Sequence, residues 1–272
     1  MSITIDRNLS NSMPNENISA ESIRLPLDVV EYLCSQSKNS TGHTQRQRLG
    51  NPAPVGLGGF LLCATPVSLS LLELQGAGGF AAAANIGAYL GLGSVMLILG
   101  GIGEWVLGNT FSSVVFCLFG GYWLTLGITI IPGSGAYGIY STTESAVDGL
   151  DNPQFYATFS FILVAMTILC ALLTVASIRT NIVWFFMFVL LTTYFGCLAG
   201  SFFTFMEKPS SALLLQKVGA GFLFAATILG WYMWFALILL SVNFPSSLPV
   251  GELSSVVPGR NNQAEMKNTK DA

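Results

Sequence analysis

Six stretches of this chain are each long enough and apolar enough to cross a lipid bilayer, and no other feature constrains the fold as strongly. They run over about 53–74, 85–107, 111–131, 157–178, 182–205 and 213–242, against the ~20 mainly apolar residues that a spanning helix needs. Breakers separate them: Gly76-Ala77-Gly78-Gly79, Gly108-Asn109, Pro132-Gly133, Asn181 and Pro209. Charge is nearly absent inside them. Of the 272 residues only 9% are charged, where a soluble domain carries about 25%. Between residues 51 and 245 the charged side chains are Glu73, Glu104, Glu144, Asp148, Asp151, Arg179, Glu207, Lys208 and Lys217. A soluble fold could not clothe its surface from that supply. The composition excludes a soluble enzyme, a nucleic-acid-binding protein and a disordered scaffold. The expected fold is an all-α membrane protein. Six transmembrane helices (51–245) form a compact bundle between a polar, disordered N-terminal tail (1–50) and a polar C-terminal tail (246–272).

The first fifty residues are rich in Ser, Asn and Gln and hold no early apolar run, so they read as a true tail and not as a cleaved signal peptide. Orientation follows the cations. Lys38, Arg46, Arg48, Arg179, Arg260, Lys267 and Lys270 share one side of a six-span chain, while the other side has Lys208, Lys217 and the acidic 144–151 loop. Both tails are therefore expected in the cytoplasm, and the expected location is the plasma membrane. Three glycosylation sequons, at Asn8, Asn17 and Asn39, point the other way, and a glycan on Asn39 would reverse the topology.

Within the spans, glycines cluster as Gly87-xxx-Gly91, Gly196-xxx-Gly200, Gly100-Gly101, Gly120-Gly121 and Gly219-Ala220-Gly221. Small residues let helix backbones approach closely in lipid, which suits a packed bundle and a narrow pore equally. Ionisable groups in lipid are functional candidates by default, yet Glu73, Glu104, Arg179 and Lys217 all fall near span ends, where loop water can reach them. That disfavours a buried proton relay. The single histidine, His43, is in the tail, and Cys34, Cys63, Cys117, Cys170 and Cys197 show no metal spacing. No cofactor or metal is expected, and the net charge of −3 suggests no nucleic-acid partner.

The sharpest local signal is Asn51-Pro52-Ala53-Pro54-Val55-Gly56-Leu57. Asn at a cap with Pro behind it starts a helix. Free N–H groups at such a start suit a carboxylate, although a plain cap is the more frequent meaning. The Asn-Pro-Ala triplet also invites comparison with water channels, but there two such triplets follow spans two and five. Here Asn51 precedes span one, and Asn152-Pro153-Gln154 precedes span four, so a water channel is rejected.

The longer run Asn51 to Phe60 resembles the signature that opens the acetate uptake transporter family, which includes the succinate–acetate permease and its fungal relatives. Gly101-Ile102-Gly103-Glu104-Trp105-Val106-Leu107-Gly108-Asn109-Thr110-Phe111 is similar to that family's link between helices two and three. Gly120-Gly121-Tyr122-Trp123-Leu124-Thr125 resembles the aromatic stretch that follows, and Gly221 to Tyr232 its last helix. The polar tails resemble those of the longer fungal members.

The resemblance implies a passage for small monocarboxylates such as acetate, in some cases with succinate, proton-coupled or channel-like. It also implies a ring of protomers, often six. In such a pore an apolar gate falls on Phe60, Phe119 and Leu191, with Tyr122 and Leu97 on the pore wall and Asn51 at its anion-facing end. Glu104 is a weaker candidate for proton or loop contacts. Relatives carry Tyr at the Phe119 position, often Gln at Leu97, and a Thr pair at Cys63-Ala64, so this chain has fewer polar partners for a carboxylate. Two alternatives stay open: a transport-impaired acetate sensor or regulator, and a component of ammonium export.

Overall fold

The computed structural model describes residues 49–246 and 248–251. The expected tails otherwise fall outside the described residues, and with them the three sequons, His43 and most of the cations used for orientation. Six helices are long and apolar enough to span: α1 Ala53–Leu71, α2 Phe80–Val106, α3 Thr110–Ile130, α4 Pro153–Ser177, α5 Ile182–Thr204 and α6 Pro209–Ser241. The chain is a multi-pass membrane protein, and the described residues contain no β-strand.

Local chemistry explains where the helices begin. Asn152 Oδ1 accepts the Gln154 N–H at 2.9 Å and Asn181 Oδ1 accepts the Trp184 N–H at 2.9 Å, each satisfying a donor that a helix start would leave free. α4 and α6 start at Pro153 and Pro209, earlier than their hydropathy suggests. Proline lacks only an N–H that the first turn does not use, so these residues begin helices as well as end loops. At the other end of α2, Gly108 takes φ 78°, and the Asn109 N–H returns to the Glu104 carbonyl at 2.8 Å. This is the left-handed closure that glycine provides most cheaply.

The start of α2 is irregular. Ala81 and Ala82 lie in the left-handed region at φ 49° and 50°, where a Cβ is crowded. The Tyr89 hydroxyl holds the turn by donating to the Ala81 carbonyl at 2.8 Å and the Ala82 carbonyl at 3.2 Å. Residues Tyr89–Met96 then widen into a π-helical stretch.

α2 packs on α1 and α3, α6 packs on α1 and α5, and α4 packs on α5. The α1–α2 seam is backbone on backbone. A Cβ on Gly100 would stand 2.6 Å from Gly56 Cα, and one on Gly59 would stand 2.6 Å from the Leu92 carbonyl oxygen. The α1–α6 seam is pinned by polar groups instead. Trp234 Nε1 donates to the Pro54 carbonyl at 2.9 Å, Trp231 Nε1 to Thr65 Oγ1 at 3.0 Å, and Gln216 Nε2 to the Leu71 carbonyl at 3.3 Å. Gly87, Gly91, Gly121 and Gly221 behave differently, since nothing of their own chain would meet a Cβ there within 4 Å. The Gly87-xxx-Gly91 pair is therefore not part of the packing within this chain.

Gly100→Val forces a side chain into α1 backbone that cannot give. It should lower the unfolding midpoint in detergent by about 2–12 °C, the equivalent of about 1–3 kcal/mol of overpacking. Gly87→Ala should leave the midpoint unchanged.

Candidate functional site

The odd-numbered helices run parallel, and their inward residues line two chambers in the same order. The first cavity, about 20 Å³, is bounded by Leu57 and Phe60 of α1, Leu97 of α2, Val115, Phe116 and Phe119 of α3, and Trp184, Met187, Phe188 and Leu191 of α5. None of these side chains carries a hydroxyl, amide or carboxyl group. One helical turn further along α3 and α5, and two turns further along α1, the second cavity opens, a vestibule of about 260 Å³. Its walls include Val67 and Leu71 of α1, Tyr122 and Leu126 of α3, and Tyr194, Leu198 and Phe202 of α5. Phe80, Tyr156 and Phe159 close its side from α2 and α4.

Phe60, Phe119 and Leu191 are the last residues of the first cavity before the vestibule begins. Each is nearly fully buried. Phe60 and Phe119 meet edge to face with ring centroids 6.0 Å apart, and Phe195 backs Phe119 at 6.3 Å. The junction is apolar on all sides. A group crossing it in ionised form would lose its hydration without gaining a partner, which costs several kcal/mol or more.

Immediately beyond, Tyr122 and Tyr194 bring their hydroxyls together at the vestibule floor. Phe195 stands between them and the junction, edge-on to Tyr122 at 5.1 Å. These phenols are the deepest hydrogen-bonding groups on the vestibule wall, and each can both donate and accept. Tyr194 was not singled out from the sequence. Its signal was the α5 series Phe188, Leu191, Tyr194 and Leu198, which repeats the α3 series Phe116, Phe119, Tyr122 and Leu126 at nearly the same spacing. Among the described residues, Trp123 Nε1 is the buried polar side-chain atom that lacks a partner. The Trp123 ring stacks on Tyr89 at 5.1 Å.

Of the residues that sequence reasoning selected, Phe60, Phe119, Leu191 and Leu97 converge on the first cavity, and Tyr122 lines the second. Asn51 and Glu104 line neither. Asn51 is exposed, and its Oδ1 accepts the Ala53 N–H at 3.0 Å, as a plain helix cap does. Glu104 is buried at 2% exposure, not facing loop water as its position near a span end suggested. Its Oε2 accepts from Asn109 Nδ2 at 2.6 Å, so carboxylate and amide together close the turn around Gly108. Cys63 and Ala64 also lie off the passage. Cys63 Sγ donates to the Ala88 carbonyl at 2.9 Å, within the α1–α2 seam.

A membrane protein with two chambers stacked along one axis is the class that this fold and these cavities define. The chain belongs to the GPR1/FUN34/yaaH family, whose model matches residues 35–255. It is 38% identical to "Protein alcS" of Aspergillus fumigatus over 78% of this chain and 80% of that one. It is 26% identical to "Acetate permease A" of Emericella nidulans over 79% of this chain and 70% of that one. The bacterial acetate channel SatP shares the fold at a TM-score of 0.57 and 22% identity, covering 75% of this chain and 99% of SatP. With these relatives, the chain is not an enzyme.

A dry junction has a direct consequence for accessibility. In a chain whose native cysteines are replaced by alanine, a water-soluble methanethiosulfonate reagent applied from the vestibule side should label Tyr122→Cys and Tyr194→Cys. It should label Phe116→Cys at least about tenfold more slowly, since water would have to pass the apolar junction. Equal labelling of all three would contradict the geometry.

Proposed function

We propose that this protein is a membrane passage for small monocarboxylic acids, with acetate the first candidate, and that the acid crosses the junction in neutral form together with its proton. One observation carries the reading: a wide vestibule ends in a pair of phenol hydroxyls, and behind them lies a narrow cavity without a hydroxyl, amide or carboxyl group. The phenols can satisfy the two oxygens of a carboxylic acid while its methyl group rests on aromatic rings. The apolar junction then favours the uncharged form, because an unpartnered buried carboxylate is far costlier than its protonated counterpart. The scarcity of ionisable groups along the axis fits a solute that brings its own proton. The permease and channel names among the relatives support the same substrate class, and succinate is a larger acid that the vestibule has room to receive.

The remaining features follow from the same reading. Phe60, Phe119 and Leu191 act as the gate and Leu97 as part of its apolar wall. Asn51 marks the opposite mouth, and Glu104 holds the turn beside it. Both termini face the cytoplasm of a plasma-membrane protein. Copies associate in a ring, the six-membered one that family resemblance implies. The bare backbone at Gly87, Gly91, Gly121 and Gly221 offers the close approach that association in lipid requires.

Uptake of labelled acetate by cells lacking other carriers tests the function. Uptake should exceed that of cells without the protein and should rise as the medium is acidified toward the carboxylic-acid range. Tyr122→Phe and Tyr194→Phe should each reduce it about five- to tenfold, the worth of one lost hydrogen bond at about 1–1.5 kcal/mol. Phe119→Tyr adds a hydroxyl at the gate and should raise it. The closed, hydroxyl-free junction also favours a second reading, a sensor that binds acetate without passing it. No uptake at any pH, together with acetate-dependent stabilisation of the purified protein, would establish that reading in place of transport.

A further inference from the structure

The vestibule wall carries one formally charged side chain among the described residues, and its sign is wrong for a carboxylate. Glu73, just past the end of α1, lines the cavity beside Gln216. Its carboxylate Oε2 is 2.7 Å from the Lys217 ammonium on α6, and the two side chains are 42% and 40% exposed. Glu73 reaches this position only by adopting a left-handed backbone at φ 59°, and Gln75 two residues on does the same at φ 55°. Strain of that kind at non-glycine residues persists only where surrounding contacts maintain it. Here the next residue back along α6, Gln216, holds the Leu71 carbonyl at 3.3 Å. A half-exposed pair gains little net stability from its own attraction, so an incoming anion can compete with Glu73 for the Lys217 ammonium.

We propose that Glu73 and Lys217 form an exchangeable ion pair that sets anion capture at the vestibule mouth, with Glu73 repelling a carboxylate and masking the ammonium that would otherwise attract it. This rests on the reading of the vestibule as the entrance for small monocarboxylates. The pair acts on capture and not on passage through the junction. It stands at the rim, whereas Tyr122 and Tyr194 lie at the floor and Phe60, Phe119 and Leu191 behind them. The captured anion is protonated by hydronium of the bulk solution before it reaches the apolar junction, which leaves a neutral acid and water. Lys217 is the specificity-determining residue of this step, and Glu73 governs how much of its charge the substrate meets.

The two partners separate capture from a merely structural role, because capture predicts opposite effects and a structural bridge predicts the same effect from either loss. Initial rates of labelled acetate uptake are measured at pH 7.5, at low and at raised ionic strength, in cells lacking other carriers. Glu73→Gln should lower KM about three- to tenfold with kcat little changed, and the gain should shrink at high salt. Lys217→Gln should raise KM by a similar factor. The charge-exchanged double variant, Glu73→Lys with Lys217→Glu, keeps a bridge but places the cation on the cavity wall, and it should also lower KM. Single variants that both raise KM, single variants that both leave it unchanged, or an exchanged variant that behaves as the wild type would each overturn the proposal while leaving the transport reading intact. Absence of uptake by the wild-type protein would overturn the transport reading, and the proposal with it.

Discussion

The bundle depends on how closely α1 can lie against α2. Gly56 and Gly59 present bare backbone to Gly100 and to the Leu92 carbonyl, with no room for even one added carbon. That contact constrains the rotation of α1, because turning Leu57 or Phe60 toward α2 would put a side chain where Gly56 and Gly59 now lie. In that rotation Leu57, Phe60, Val67 and Leu71 point toward the central axis, and both chambers acquire their α1 wall. The polar pins from α6 hold the opposite side of the same helix. In lipid no hydrophobic force draws helices together, so close packing and a few hydrogen bonds must do it. α1 has both, and it is the helix on which the two chambers are aligned.

This arrangement makes the passage chemically uneven along its length. From the rim inward, a solute meets an ion pair, then aromatic walls, then two phenols, then an edge-to-face pair of phenylalanines with nothing to offer a charge. The phenols are the last groups that can stabilise an anion, and beyond them only apolar contact remains. A small carboxylic acid suits that sequence because protonation converts it from one class of solute to the other. The nearly charge-free spans, which first only marked the chain as a membrane protein, thus describe the axis as well as the lipid face.

Much of the architecture was legible in the sequence, and the reasons are physical. Six spans stand out because a bilayer demands long uncharged runs, and Asn and Pro mark helix starts by satisfying or omitting the same N–H groups. Pro153 and Pro209 show the limit of hydropathy alone: a polar first turn is still helix when proline and a capping group start it. Phe60, Phe119 and Leu191 were reached through family resemblance, since aromatic residues in apolar helices otherwise read as ordinary packing. Tyr194 was missed for that reason, and only its register against Tyr122 on a neighbouring helix distinguishes it. The burial of Glu104 could not be foreseen because its partner Asn109 returns from beyond the helix end. The left-handed pair Ala81 and Ala82 has no signal in its own residue types, since the glycines that would advertise such a turn, Gly78 and Gly79, stand just before it.

The central claim is that the acid is held on the phenol floor above a closed apolar junction. A structure of the purified protein determined by electron cryomicroscopy in saturating acetate tests it most directly. The account predicts ligand density within hydrogen-bonding distance of the Tyr122 and Tyr194 hydroxyls, and none between Phe60, Phe119 and Leu191. Density confined to the Asn51 mouth, or a vestibule empty at saturation, would contradict it.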